Sequence, residues 1–174
     1  MIEKQGGSIL KWLCLGLTVL ILGAVGINYL AVDQLLVSAL NKTPYSQVTV
    51  CAHFGGFVQS NTVVIHILDS HSLNEANLTD FLVALAHSTP QETKVFERIS
   101  LTSGLLGEYS LSGSDWKILG DMGQADAARQ KEFLLNQLGD ASGRPLLNSA
   151  ATAEQQTAER EKIWAAFVAQ FVRS

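Results

Sequence analysis

Charge is scarce in this chain of 174 residues, of which only 16% are Asp, Glu, Lys or Arg, against roughly 25% in soluble domains. Twelve basic and 16 acidic side chains leave a net charge of −4, which removes the basic footprint of a general nucleic-acid binder. Cysteine is nearly absent, with Cys14 and Cys51 alone, so no disulfide framework holds the fold and the domain depends on its core. Only three prolines occur, and no internal repeat or low-complexity tract is present. Motifs that name a chemistry are missing as well. There is no G-x-S-x-G elbow, no H-E-x-x-H, no S-x-x-K beside a suitable strand and no glycine loop to cradle phosphate. No cofactor is expected. The length excludes a multi-domain machine, and 47% apolar residues exclude a disordered chain.

What is present is one long apolar run. Trp12 to Val32 carries no charge and is bracketed by Lys11 and Asp33, and as a helix of about 1.5 Å per residue it has the length of a hydrocarbon core. A single transmembrane anchor is therefore expected over 12–32. Lys4 and Lys11 precede it and Asp33 follows, so the positive-inside rule places a tail of residues 1–11 in the cytoplasm and the remainder outside. In a bacterium this means the inner membrane and periplasm. A cleaved signal peptide, ending near Ala24-Val25-Gly26, is the alternative and yields a secreted protein. From residue 43 onward the chain holds 9 of the 12 basic and 14 of the 16 acidic side chains, a net charge of −5. The apolar excess thus belongs to the anchor and the remainder reads as an ordinary acidic domain.

Val32, Leu36 and Leu40 recur at four-residue steps, predicting that the helix continues as a stalk over 33–43 until Thr43-Pro44. The stripe suits packing on its own domain, or a homodimer through the stalk. Residues 44–174 read as an extracytoplasmic α+β domain. Val48, Val50, Ala52 and Phe54 alternate with polar neighbours and predict a first strand, with the turn placed at Ser60-Asn61 in preference to Gly55-Gly56. Thr62 to Leu68 predicts a central strand. Ser72-Leu73-Asn74-Glu75 matches a capping box, opening a helix that Pro90 closes. Lys94–Thr102 and Leu106–Ser112 read as strands three and four. Gly113 to Gly120 and Ala125 to Leu138 read as helices, with Gly139 as C-cap, and a last helix follows Thr152. The expected architecture is a largely antiparallel four-stranded sheet (β-β-α-β-β) with C-terminal helices packed on it.

Four histidines occur, His53, His66, His71 and His87. His66, Asp69 and His71 fall within six residues at the end of the central strand and form the candidate metal or acid–base set. Alternate residues of a strand point to opposite faces, so the three converge only if the chain turns after Asp69. Without that turn, His66 is a core histidine and Asp69 and His71 are turn residues. Cys51 reads as a buried inert thiol. Trp164, Phe167 and Phe171 lie on one helical face, which suits a core, or a partner-binding face if the helix detaches.

These observations favour a single-span envelope protein whose domain binds or scaffolds another envelope component. The alternative is a membrane-tethered metal-dependent or hydrolytic enzyme using His66, Asp69 and His71. A long N-terminal helix followed by an antiparallel sheet, Ile9 to Leu68, also resembles the type IV pilins and pseudopilins in outline. Pilins carry a glutamate five residues after their cleavage point, whereas cleavage after Gly7 puts Trp12 there, and Lys11 interrupts the early apolar run.

Overall fold

The computed structural model describes residues 12–19, 23, 32–55, 61–89, 96–103, 106–123, 126–150 and 152–172. Among the described residues, after the helical residues 12–19, the elements follow in the order α1 (Gln34–Leu40), β1 (Thr49–Phe54), β2 (Thr62–Asp69), α2 (Glu75–Ser88), β3 (Arg98–Ser103), β4 (Leu106–Ser112), α3 (Gly113–Asp121), α4 (Ala127–Gln137) and α5 (Ala153–Phe171).

Among the described residues no helix is long and apolar enough to cross a membrane. This corrects the expected anchor over 12–32 and, with it, the single-pass topology of cytoplasmic tail and extracytoplasmic domain. Residues 12–19 are helical and exposed, while 1–11, 20–22 and 24–31 lie outside the described residues. A crossing needs roughly 20 consecutive apolar helical residues. The far end of the apolar run is also committed elsewhere. Val32 is fully buried in the domain core, and the Asp33 carboxylate accepts the Ala52 amide at 2.8 Å. In the expected stalk, α1 is a seven-residue helix whose Leu36 and Leu40 are buried in the same core.

The sheet has the order β1-β2-β3-β4 and is mixed. Its outer pairs are antiparallel, but β2 and β3 run parallel, with Ile65 opposite Leu101. This corrects the largely antiparallel sheet. A strand that returns through a helix to its immediate neighbour arrives in the same direction, and α2 is that crossover.

Alternation in the strands divides the sheet into two faces. Val50, Ala52, Val63, Ile65, Ile67, Ile99, Leu101 and Leu111 supply the buried apolar face. Against it lies α2, which buries Leu78, Phe81, Leu82 and Leu85, and the aromatic edge of α5, whose Phe167 meets Tyr109 at 4.9 Å between ring centres. Inside this cluster the Trp116 indole donates to Thr89 Oγ1 at 3.0 Å, and Thr89 Oγ1 donates to Leu85 O at 2.9 Å. Two polar groups are buried there without an unmet bond.

Helix ends follow local chemistry, with one shift from expectation. The cap of α2 is Asn74 paired with Asn77, not Ser72 with Glu75. Glu75 begins the helix, and its carboxylate accepts the Trp164 indole at 2.8 Å. Gly120, expected to close α3, sits inside it and packs against the end of α2, where a Cβ would stand 2.9 Å from the His87 amide nitrogen. Gly139 likewise does not cap α4 but bridges Ser110, with amide-to-carbonyl bonds of 2.9 and 2.8 Å. It covers the free edge of β4 while Asp33 occupies an outward amide of β1, so both sheet edges are blunted. Pairing between the first two strands continues to Gly55, whose amide donates to Thr62 O, so Gly55-Gly56 is not a two-residue turn. Residues 56–60, where most of the connection runs, lie outside the described residues.

Candidate binding face

The other face of the sheet is built by the complementary residues of the same strands. Thr49, Cys51 and His53 on β1 and Thr62, Val64, His66 and Leu68 on β2 contribute no member to the apolar cluster. Cys51, His53, Val64 and His66 are half-buried and Leu68 is 52% exposed.

Register decides which of these side chains meet. Cys51 stands opposite His66, and His53 opposite Val64, so His53 and His66 are diagonal neighbours on one face. Their rings meet nitrogen to nitrogen, Nε2 to Nε2 at 2.9 Å with ring centres 5.0 Å apart. His66 Nδ1 is 2.8 Å from Thr102 Oγ1 on β3, and His53 Nδ1 is 2.8 Å from the carbonyl oxygen of Phe54.

The bonding pattern fixes the tautomers. A carbonyl only accepts, so His53 carries its proton on Nδ1 and, when neutral, accepts at Nε2. His66 must then donate from Nε2 and accept at Nδ1 from the Thr102 hydroxyl. The result is a single directed chain, Thr102 to His66 to His53 to the Phe54 carbonyl, in which every ring nitrogen is used. Burial, and secondarily the neighbouring His53, lower the proton affinity of His66, while Glu108 opposes the shift. Burial and the neighbouring ring thus favour the neutral form of His66. Thr102 lies opposite His66 on one side and Glu108 on the other, so the three form a row across the face. At the β1 edge, burial and the Asp33 carboxylate raise the Cys51 thiol, keeping it protonated and poorly nucleophilic.

The three residues singled out as a metal or acid–base set occupy different places. His66 turns to His53 and Thr102. Asp69 Oδ1 accepts from His71 Nδ1 at 2.6 Å and from the His71 amide at 3.1 Å, forming a local turn at the exposed strand end. Among the described residues no three His, Cys, Asp or Glu side chains form a group that could hold a metal ion. Trp164, Phe167 and Phe171 are buried against Tyr109 and α2, with the Lys131 ammonium 4.5 Å over the Trp164 ring. No family model, curated protein or solved structure matches the chain.

His53 is the residue that sequence reasoning left outside the site. Its place in an alternating strand was visible, but its meeting with His66 depends on the hairpin register. Clefts lie elsewhere on the molecule: one of about 700 Å³ on the helical side is lined by Lys42, Tyr45, Asp80, His87 and Asp121 among others, and one of about 660 Å³ by Asn136, Leu147 and Arg160 among others.

Proposed function

We propose that this chain is a binding module that holds another protein against the second face of its sheet. The observation that carries this reading is the closed hydrogen-bond chain from Thr102 through His66 and His53 to Phe54 O. Because these groups satisfy one another, a partner can cover them without stranding a buried donor or acceptor, a loss that costs about 1–3 kcal/mol for each group. The same bonds lock the two rings, so less side-chain freedom is lost on association. Val64 and exposed Leu68 on the same strand supply apolar contact beside them. An enzymatic reading built on His66, Asp69 and His71 draws no support from side chains that pair in two separate places.

Site-specific photo-crosslinking in intact cells tests the proposal. A crosslinker at Leu68 is expected to give one discrete product, absent when it is placed at Ile118, an exposed position on α3. Val64→Glu should abolish the product while leaving the fold intact. Equal labelling from both positions, no product, or a product indifferent to Val64→Glu overturns the proposal. A product of twice the chain's mass assigns the face to self-association and overturns it too.

A further inference from the structure

We propose that His53 and His66 form a two-histidine clip for a borderline transition-metal ion of the zinc class. This goes beyond the partner-binding reading and does not depend on it. The two Nε2 atoms face each other at 2.9 Å from neighbouring strands. Imidazole nitrogens bind zinc at about 2.0–2.1 Å, so two of them on a tetrahedral ion stand about 3.3 Å apart. The rings need to open by only a few tenths of an ångström and to tilt toward the ion.

The outer bonds of both rings already match what metal-bound histidines require. A ligating ring donates its remaining N–H to an oxygen, which fixes tautomer and orientation. His53 does this to Phe54 O in the free protein. His66 reaches the same state when its proton moves from Nε2 to Nδ1 and is donated to Thr102 Oγ1, 2.8 Å away, while the hydroxyl hydrogen rotates elsewhere. With one proton on His53 Nδ1 and one on His66 Nε2, as the bonding pattern places them, binding moves the His66 proton between its two nitrogens and releases none. With no third His, Cys, Asp or Glu grouped with the pair among the described residues, the ion keeps positions open for water. Half-burial of both rings leaves one side of the pair accessible for this.

Calorimetric titration of the untagged, reduced full chain with zinc ions alone is the test. One ion per chain is expected, with affinity weakened at least ~10-fold in His53→Gln, in His66→Gln and in the positioning variant Thr102→Val. His71→Ala and His87→Ala should bind as the parent does. Long-range proton–nitrogen spectra of the unmodified chain give a second readout that does not rely on variants folding. Zinc should shift Nε2 of both His53 and His66 and put a proton on His66 Nδ1. Absence of binding, binding unaffected by His53→Gln, loss equally severe in His71→Ala, or ring signals that do not move each overturn the clip.

Discussion

The indole N–H of Trp164 donates to the Glu75 carboxylate at 2.8 Å, tying the last helix to the first turn of the central one. Glu75 is exposed and can rehydrate, so Trp164→Phe should cost only about 1 kcal/mol, the net value of one hydrogen bond. Phe167, fully buried between Tyr109 and Phe171, is different: Phe167→Ala should cost about 3–5 kcal/mol. Denaturant titration of the two variants checks the ranking. Equal effects would mean that α5 is not anchored by its aromatic face.

Asp33 separates two roles in one side chain. Asp33→Ala removes the acceptor for the Ala52 amide and should destabilise by about 1–3 kcal/mol, while exposing the β1 edge to association. Asp33→Asn keeps an acceptor but removes the charge that helps hold the Cys51 thiol up. It should therefore leave stability nearly unchanged and speed alkylation of Cys51 at mildly alkaline pH. Timed iodoacetamide labelling followed by mass measurement distinguishes the two, and equal labelling rates in the parent and Asp33→Asn would remove Asp33 as a cause.

Two glycines are held by close packing. A Cβ on Gly113 would overlap the Phe96 carbonyl oxygen, and one on Gly120 would stand 2.9 Å from the His87 amide nitrogen. Both neighbours are backbone, so neither can swing aside. Gly120→Ala should destabilise by about 1–3 kcal/mol, and Gly113→Ala by more. Thermal unfolding gives the order, and a neutral Gly113→Ala would show that the start of α3 and Phe96 do not approach so closely.

His66 makes stability depend on mild acid. The folded proton affinity of His66 lies below its ordinary pKa of 6.5, so below that pH the unfolded chain binds a proton that the folded chain resists. Stability from this group is intact above pH 6.5, falls as the pH drops through 6.5 toward the lowered folded value, and is level below it. His66→Gln should flatten that part of the stability profile. An unchanged slope in the variant would assign the dependence elsewhere.

Much of the secondary structure was legible in local pattern. The period-two runs around Val50 and Ile65, the helix Glu75–Ser88 and the aromatic face of α5 are set by residue spacing, because each element must present one apolar side to a core. The site was less legible. Asp69 and His71 meet because they are two residues apart, whereas His53 and His66 meet through a hairpin register that 13 positions of sequence do not disclose. Gly120 departs from a local rule for the same reason, since α2 packs against it, whereas the cap of α2 shifts by local competition, Asn74 with Asn77 taking the place expected of Ser72 with Glu75.

The sequence by itself determined an acidic α+β domain with a strand-strand-helix-strand-strand order, since hydrophobic period and turn residues act locally. Tertiary structure decided three further matters. It drew Val32 and Asp33, the end of the one long apolar run, into the domain through core burial and a bond to the edge strand. The α2 crossover made the central strand pair parallel. Across the strands, register brought two histidines nitrogen to nitrogen on a face that no apolar pattern marks.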